Sequence, residues 1–358
     1  MIKRHKIAVL VSGGVDSSVA LALLKDQGHE LVAFYLKIWL EDELAYLGSC
    51  PWEQDLEFVK GVCDKLDVPL QVVSMQQKYH EQVVAYMLKE IKQGRTPNPD
   101  ILCNQHIKFG AFYESIDDSF DYVATGHYAQ VEHTETGSIL KKGKDPVKYQ
   151  TYFLALLSQK QLSRALFPVG QYEKYEVREL AQKYDLPTQS RKDSQGICFL
   201  GKFEFSDFLK AHLGTRVGDI VEFESGKILG QHNGFWFYTI GQRQGLGLSG
   251  GPWYVVSKDP VKNNVFISRN YTEIDTYKSG MKVGIFHWIN TVLTGRHELD
   301  VRFRHGPAVH PAVVTIHDDG SVTIELKQES KQGIATGQFA VLYNGDVCLG
   351  GGIIDQAF

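Results

Sequence analysis

The fold is decided by the stretch Lys6-Ile7-Ala8-Val9-Leu10-Val11-Ser12-Gly13-Gly14-Val15-Asp16-Ser17-Ser18. Its apolar first half predicts a buried strand over 7–11, and the apolar residues 19–24 behind the turn predict a helix. Two glycines in the turn let the backbone come close to a ligand. Backbone N–H groups and the positive end of the helix dipole then point at one place. This arrangement is typical of an anion site, and a phosphate is the anion we expect.

Polar side chains strengthen this interpretation. Ser12, Ser17 and Ser18 add hydroxyl donors, and Asp16 can orient the turn or hold a metal. The turn lacks the Gly-Lys-Ser/Thr ending of a Walker loop, so cleavage between the α- and β-phosphates is expected. The alternative is a turn that needs its glycines for steric reasons alone. Such a turn would not need the hydroxyl groups and the carboxylate that are present here. Ser-Gly-Gly-x-Asp-Ser is similar to the pyrophosphate-binding loop of the N-type ATP pyrophosphatases, which attach AMP to a substrate oxygen or carboxylate.

Short apolar strands alternate with amphipathic helices as far as about Leu154, which predicts an α/β fold with a doubly wound parallel sheet. The predicted strands are 7–11, 31–36, 70–73 and 122–124, and the predicted helices are 17–27, 53–66 and 79–93. Ligands of such sheets bind beyond the C-terminal ends of the strands. The glycine turn, the segment after Leu36 and Thr125-Gly126-His127-Tyr128 all follow strands, so we expect them to share one pocket.

The character of the sequence changes along its 358 residues. More helices are expected at 158–164, 174–184 and 204–213, whereas glycine-punctuated β-branched and aromatic runs dominate after Gly214. Asp318-Asp319-Gly320 and Asn344-Gly345 are turn signals between strand-like runs. We predict a catalytic domain with a helical extension at 1–213, a small β-rich central domain at 214–275 and a C-terminal antiparallel β-barrel at 276–358.

The overall composition limits the function classes. Acidic residues number 42 and basic residues 38, so a nucleic-acid surface must be a local patch rather than a global charge. No apolar run approaches the length of a membrane span, and no signal-peptide hydrophobic region precedes the first strand, so we expect a cytoplasmic protein without a membrane partner. The five cysteines lack C-x-x-C spacing, which argues against a disulfide framework or a zinc site.

Two cysteines follow polar loops and are candidates for chemistry. Cys103 ends the run Thr96-Pro97-Asn98-Pro99-Asp100-Ile101-Leu102-Cys103, whose prolines predict an extended, rigid loop. With Arg95 and Lys108 near it in sequence, Cys103 is expected to be exposed, with its thiolate favoured by positive charge. Cys198 follows a polar, basic run and has the same character. Packing of either thiol as a small apolar group is the alternative.

The remaining cysteines carry no chemical signal. Cys63 shares an apolar helix face with Leu56, Val59 and Val62, so we predict a core position. Cys348 lies in an apolar run and is also predicted to be core, while nothing decides the role of Cys50.

Taken together, five motifs resemble those of the bacterial tRNA-specific 2-thiouridylases, and the likeness runs from the first strand to the last residues. They are Ser12-Gly13-Gly14-Val15-Asp16-Ser17, Thr96-Pro97-Asn98-Pro99-Asp100-Ile101-Leu102-Cys103-Asn104, Thr125-Gly126-His127-Tyr128, Arg191-Lys192-Asp193-Ser194-Gln195-Gly196-Ile197-Cys198-Phe199 and Leu349-Gly350-Gly351-Gly352-Ile353-Ile354. The resemblance implies conversion of the wobble uridine of tRNA to 2-thiouridine with ATP and a sulfur relayed as a persulfide. It also implies an ATP-pyrophosphatase domain, a small central domain and a C-terminal β-barrel.

The resemblance also implies roles for individual residues. Cys198 carries the persulfide, Cys103 is the second thiol and Asp100 is the general acid or base. The residues implied around ATP are Leu10, Val11, Ser12, Gly13, Gly14, Val15, Asp16, Ser17, Leu36 and Gly126. Leu36 departs from the methionine that is frequent there in the family. The residues implied to contact tRNA are Asn98, Pro99 and Asp100 at the target base, and His127, Lys148, Tyr149, Gln150, Arg302, Phe303 and Gln338 elsewhere.

The implied partners are tRNA and a protein that donates persulfide sulfur, with ATP and Mg²⁺ in the nucleotide site. An iron–sulfur cluster held by Cys103 and Cys198 stays open as an alternative to the relay. Two other functions also stay open. One is another N-type ATP pyrophosphatase, of the lysidine synthetase or amidotransferase type, and the other is a non-catalytic tRNA-binding relative. Without the resemblance, the sequence pattern predicts a solvated strand face with alternating charge at Asp300-Val301-Arg302-Phe303-Arg304-His305.

Overall fold

A computed structural model describes residues 3–38, 51–192, 205–270, 278–306, 308–328 and 333–358. Cys50, Cys198 and the predicted domain limit near 275 lie outside these ranges. The described strands are β1 (Lys6–Leu10), β2 (Glu30–Lys37), β3 (Leu70–Ser74), β4 (Tyr122–Ala124), β5 (Ala129–Thr134), β6 (Gly137–Lys142), β7 (Ala165–Leu166), β8 (Gly218–Glu222), β9 (Ile228–His232), β10 (Tyr254–Asp259), β11 (Asn264–Ser268), β12 (Gly280–Trp288), β13 (Gly295–Arg302), β14 (His310–Ile316), β15 (Val322–Leu326), β16 (Phe339–Asn344) and β17 (Val347–Ala357).

The described α-helices are α1 (Val15–Asp26), α2 (Pro51–Leu66), α3 (Gln76–Tyr79), α4 (Ala85–Lys92), α5 (Pro99–Leu102), α6 (Phe112–Ser115), α7 (Gln159–Leu162), α8 (Lys174–Lys183) and α9 (Phe205–Leu213). Two π-helical segments interrupt the regular pattern. His80–Val84 joins α3 to α4, and Cys103–Ala111 joins α5 to α6. Within the described residues, no helix is long and apolar enough to cross a membrane.

The first sheet is parallel, in the order β3-β2-β1-β4-β7. Side chains of β1 alternate between its two faces: Ile7 and Val9 join one buried cluster, and Ala8 and Leu10 join the other. Both faces are therefore covered, as a doubly wound sheet requires, and the predicted fold class is confirmed. The strand order reverses between β1 and β4, and a crevice at that point is where such sheets bind ligands.

The second half of the chain is built from antiparallel hairpins, as predicted, although β8 and β11 pair in parallel within the central sheet. A sheet in the order β10-β11-β8-β9 forms the central unit. Strands β12-β15-β14-β13-β16-β17 follow in order, and pairing of β12 with β17 closes them into a six-stranded barrel. The two turn signals lie where expected, between β14 and β15 and between β16 and β17.

One hairpin links the catalytic domain to the barrel and was not predicted. Strands β5 and β6 pair with each other, and β6 continues the barrel sheet through a pairing of Lys141 with Val347 of β17. Cys348, 0% exposed, packs in the same cluster as residues of the first sheet, which confirms its core position. Residues of both domains therefore pack in one buried cluster, while the barrel interior forms a cluster of its own.

Candidate active site

The glycine turn after β1 is held by its own hydroxyl groups. Ser17 Oγ and Ser18 Oγ donate to the carbonyl oxygen of Gly14 over 3.2 and 2.8 Å, and Ser12 N donates to Ser17 Oγ over 3.2 Å. Gly13 has φ +75°, and a Cβ there would lie 2.7 Å from the carbonyl oxygen of Asp55. The turn therefore needs its first glycine for both conformation and space.

The end of β4 reaches the same turn. A Cβ on Gly126 would lie 2.6 Å from Ser17 N, so the backbones at these two residues are in direct contact. Tyr128 OH donates to Asp16 Oδ1 over 2.8 Å. Leu36 stands at the end of the neighbouring β2 with a partly buried side chain. The expectation that the ends of these strands meet is confirmed for the turn and for Thr125–Tyr128.

Two lysines from distant parts of the chain meet Asp16 in the turn. Lys174 Nζ lies 2.6 Å from Asp16 Oδ1, and Lys148 Nζ lies 3.7 Å from Asp16 Oδ2. Sequence reasoning assigned Lys148 to RNA and missed Lys174. No local signal marks Lys174, because it stands in an ordinary amphipathic helix 158 residues from its partner.

Arg191 ties the turn to the segment that precedes Cys198. Its Nη1 donates to the Gly13 carbonyl over 2.7 Å, and its Nη2 pairs with Asp55 Oδ1 over 2.7 Å. The guanidinium also stacks over Phe58, 4.3 Å from the ring centroid. The chain entering the Cys198 segment is therefore fixed beside the turn.

Cys103 differs from the sequence-based expectation. It opens the π-helical segment and is 1% exposed, packed in the cluster that covers the first sheet. Burial raises the pKa of its thiol to about 11; the charge of Lys108 opposes the rise and that of Asp100 adds to it. Arg95 is not placed to favour the Cys103 thiolate, because its guanidinium pairs with the carboxylates of Glu90 and Asp355 at 2.8 and 3.2 Å. Expected exposure and an expected thiolate are both wrong for this conformation.

The backbone before Asp100 and Cys103 is held by the barrel; we call Thr96-Pro97 the strap. Thr96 N donates to the carbonyl of Thr336, and Gln338 Nε2 donates to the carbonyls of Thr96 and Pro97 over 3.0 and 3.3 Å. Gly337 has φ +89°, and a Cβ there would lie 2.9 Å from Thr96 N. The predicted extended loop is wrong beyond Asn98, because Pro99 begins helix α5 and a π-helical segment follows from Cys103. The position of the strap is set by a loop some 240 residues away.

Lys108 connects the thiol to the edge of the turn. Its charge, together with burial as the larger cause, holds the pKa of His127 well below its ordinary value. The same charge acts on Cys103. His127 Nδ1 also bonds Thr125 Oγ1 over 2.7 Å, and its neighbour Gly126 touches the turn. Phe167 lies between His127 and the π-helical segment, with its ring 6.1 Å from that of His127 and 6.0 Å from that of Phe109. The segment that begins at Cys103 therefore packs near the residues beside the turn.

Comparison with known proteins extends over the whole chain. Three family models match: tRNA methyl transferase HUP domain at 5–202, tRNA methyl transferase PRC-barrel domain at 206–269 and aminomethyltransferase β-barrel domain at 278–354. A tRNA-specific 2-thiouridylase MnmA of Parabacteroides distasonis is 44% identical over 356 residues, which is 98% of each chain. One of Porphyromonas gingivalis is 42% identical over 361 residues, 98% of this chain and 99% of the relative. The chain belongs to the tRNA-specific 2-thiouridylase family.

For a member of the 2-thiouridylase family, the accessibility of the residues assigned to RNA is informative. Tyr149, Arg302 and Phe303 are buried, at 5, 1 and 1% exposed, and Asn98 is 8% exposed. Gln338 and Gln150 are partly exposed but bonded within the protein, Gln150 to the backbone of Tyr128. The structure corrects the accessibility expected for these groups, and their contacts with RNA stay predictions.

Arg302 also departs from the solvated strand face that its sequence pattern suggests. Its guanidinium lies 4.6 Å from the ring centroid of Tyr149 and 5.4 Å from that of Tyr152. Its Nη1 donates to the Tyr149 carbonyl over 3.3 Å. The expected alternation of buried and solvent-exposed side chains does not hold at the end of β13. Both faces of the strand are covered there, one by the barrel core and one by the catalytic domain. In this 2-thiouridylase, the accessible cationic groups of the segment are those of Arg304 and, when protonated, His305.

His305 stands close to the predicted target-base residues. Its ring lies 5.1 Å from that of Phe153, and the charge of Asp100 acts on it. Burial and the charge of Arg302 nevertheless lower the pKa of His305. An exposed imidazole beside Phe153 offers a flat surface of the kind on which a base can stack.

Proposed function

We propose that the chain is an ATP-dependent tRNA 2-thiouridylase that acts on the wobble uridine. The uridine 2-carbonyl oxygen attacks the α-phosphorus of ATP, and pyrophosphate leaves. The oxygen that was a poor leaving group then departs as AMP when sulfur attacks C2. Relatives of this name cover nearly the full chain. The geometric observation that carries the proposal is the hydrogen bond from Arg191 Nη1 to the Gly13 carbonyl, which ties the segment before Cys198 to the turn.

In the proposed reaction, the glycine turn binds the nucleotide. Backbone N–H groups at Ser12–Ser17 and the start of α1 suit the phosphates, with Gly126 packed against them. Leu36 is the candidate apolar contact for the adenosine. Mg²⁺ is the expected companion of the phosphates, and Asp16 offers it a carboxylate.

The sulfur side needs Cys103 and Cys198. The terminal sulfur of a Cys198 persulfide attacks C2, and Cys103 thiolate then attacks Cys198 Sγ. The sulfur–sulfur bond breaks toward the nucleobase, AMP leaves, and Cys103 and Cys198 remain as a disulfide. A thiol reductant restores both thiols, and a persulfide donor protein reloads Cys198. Asp100 is the candidate acid or base for these proton transfers.

The anchoring of Arg191 supports this pairing. Seven residues separate Arg191 from Cys198, and an extended chain of that length spans at most about 25 Å. The distance along the chain therefore limits how far Cys198 can be from the backbone of Arg191, whose side chain is bonded to the turn. An iron–sulfur cluster would need further ligands, since within the described ranges no group of three His, Cys, Asp or Glu side chains could hold a metal.

A reconstituted assay tests the proposal. Unmodified tRNA is incubated with the protein, ATP, a persulfide donor and reductant, and the nucleosides are analysed by mass spectrometry for 2-thiouridine. Cys103→Ser and Cys198→Ser should each abolish thiolation while ATP binding stays nearly intact. Cys63→Ala is the matched control, because Cys63 is buried in the other cluster and should retain activity. Full thiolation by either serine variant would refute the relay.

A further inference from the structure

A cavity of about 400 Å³ lies in the central unit, and none of the residues assigned to ATP, sulfur or RNA lines it. Its wall is formed by Arg243, residues 245–249 and residues 251–253. We call residues 239–253, which lead from Tyr238 to β10, the central loop. A cavity of this size can hold a small ligand or one unit of a polymer.

The central loop is fixed to the central unit by its own apolar side chains. Leu246 and Trp253, at 8 and 6% exposed, pack in the buried cluster of this unit. The indole Nε1 of Trp253 donates to the Ser249 carbonyl over 3.0 Å. A Cβ on Gly230 of β9 would lie 3.0 Å from the Leu248 side chain, so this strand packs closely against the loop. The cavity is therefore built into the fold.

One arginine lines this cavity, and a second lies against its wall. Arg243 is a lining residue with an exposed side chain. The guanidinium of Arg269 lies 4.4 Å from the ring centroid of Trp253. Gly250 leaves room for it, because a Cβ there would lie 3.3 Å from Arg269 Nη2. Within the described ranges, no carboxylate forms an ion pair with Arg243 or Arg269.

The backbone of the central loop offers hydrogen-bond donors more than acceptors. From Arg243 to Trp253, none of the N–H groups donates to an atom in the part of the chain that the structure describes. Two carbonyl groups of the same stretch are occupied, that of Gln244 by Gln242 Nε2 over 2.9 Å and that of Ser249 by Trp253. Unbonded donors beside occupied acceptors favour an anionic ligand over a cation.

Acidic residues are missing from this part of the sequence. None occurs between Glu224 and Asp259, although acidic residues outnumber basic ones in the whole chain. Glu224 accepts a hydrogen bond from Ser268 Oγ, and Asp259 Oδ1 accepts from the N–H groups of Val261 and Lys262 over 3.0 Å. A cation or a basic peptide would need carboxylates in the wall. Guanidinium groups together with N–H donors suit a phosphate.

The strand β10 separates this cavity from the strap. Trp253 precedes the first residue of β10, and Pro260 follows its last. Pro260 packs on Gly94, where a Cβ would lie 2.7 Å from Pro260 Cγ. A strand of six residues spans about 20 Å. A nucleotide bound at the strap and a phosphate in the cavity are therefore different parts of any ligand that reaches both.

We propose that the cavity is a second RNA site, in which Arg243, Arg269 and the N–H groups of the central loop bind a backbone phosphate of tRNA. The inference rests on the proposed function for the identity of the RNA. Phosphate contacts fix the position and orientation of a nucleic acid without reading its sequence. The site therefore holds the tRNA while the wobble uridine lies beside Asp100, and it takes no part in the making or breaking of bonds.

Binding of labelled, unmodified tRNA to the full-length protein, measured by fluorescence anisotropy at several salt concentrations, tests the site. Arg243→Met and Arg269→Met should each weaken binding about fivefold or more and lower the slope of log affinity against log salt by about one, because each removes a phosphate contact. Arg243→Lys keeps the charge and should retain most of the slope. Arg296→Met is the matched control, since it removes an exposed arginine from the barrel strand β13 and should change neither quantity.

The thiolation assay gives a second measurement. Both methionine variants should raise the KM for tRNA and leave kcat unchanged, because the cavity is remote from the reacting atoms. A fall in kcat at saturating tRNA would contradict a site that only holds the RNA.

The outcomes separate the second site from the proposed function. Unchanged tRNA affinity and salt slope in both methionine variants overturn the site, as does an equal loss in Arg296→Met, which would reflect overall charge alone. Calorimetry with inorganic phosphate distinguishes RNA from a small anion: if the arginine variants lose phosphate binding and keep their tRNA affinity, the RNA site is overturned. A protein that thiolates tRNA while these variants match it loses only the second site. A protein that binds no tRNA removes the proposed function as well.

Discussion

Replacing Gln338 by alanine should open the segment that carries Cys103. The side-chain amide of Gln338 donates two hydrogen bonds to the strap, at 3.0 and 3.3 Å, and alanine removes both. A hydrogen bond of this kind contributes about 0.5–1.5 kcal/mol net. Loss of the pair therefore shifts the local opening equilibrium by about 1–3 kcal/mol, which corresponds to about 5- to 150-fold more of the open form.

Alkylation of individual cysteines measures this opening. The native protein is treated with iodoacetamide at fixed pH, and labelling of each cysteine is followed over time by peptide mass spectrometry. Cys63 and Cys348 serve as internal references, because both are buried and neither adjoins the strap. Labelling of Cys103 should accelerate in Gln338→Ala while the references stay protected. Gln356→Ala, an exposed glutamine of the same barrel, should behave as the unaltered protein does.

Two results would contradict the reasoning. Equal acceleration at Cys63, Cys103 and Cys348 would mean global unfolding rather than release of the strap. No acceleration at any of them would mean that Gln338 does not hold Cys103 in place. Gln338→Glu adds a check on the cause, since an ionised carboxylate cannot donate to the Thr96 and Pro97 carbonyls and should open the segment at least as far as alanine does.

Two further predictions concern stability. Arg302→Ala should lower the free energy of unfolding by about 2–4 kcal/mol, because it leaves a cavity and removes the contacts with Tyr149 and Tyr152. Arg302→Met should recover more than half of that loss, because methionine fills the space. Urea titration measures both variants, and an unaffected alanine variant would refute the packing role. The free energy of unfolding should also fall between about pH 9 and pH 11, because the folded-state pKa of Cys103 is raised to about 11 and the unfolded chain loses the thiol proton first. Cys103→Ala should reduce this slope, and an identical pH profile would contradict the burial of the thiol.

Local patterns were sufficient for the first sheet and the turn. The alternation of apolar runs with amphipathic helices predicted β1 to β4 within one or two residues, since a parallel sheet covered on both faces needs continuous apolar strands. The glycine turn was equally readable, because its conformation depends on residues adjacent in sequence. The hairpin β5–β6 was missed, although Val131, Leu140 and the turn before Gly137 show the expected alternation.

Side-chain environments were less predictable, because they depend on contacts between distant parts of the chain. The polar neighbours of Cys103 in the sequence predict an exposed side chain. The π-helical segment that begins at Cys103 instead places this side chain in the core. Arg302 looks like a surface cation, yet two tyrosines from the catalytic domain cover it. Lys174 looks ordinary until its ammonium group is seen beside Asp16. In each case the deciding partner is more than a hundred residues away or on the other side of a domain contact.

The buried state of Cys103 constrains how the proposed reaction proceeds. A thiol with a pKa near 11 and no solvent access supplies almost no thiolate near neutral pH, so it cannot attack Cys198 from this position. Under the proposed function, the segment that carries Cys103 must therefore open before sulfur transfer. Gln338 is also the barrel residue implied to contact tRNA, and both of its amide hydrogens already bond to the strap. Under the proposed function, an RNA acceptor that took either hydrogen would weaken the strap, and substrate binding would then favour exposure of the thiol.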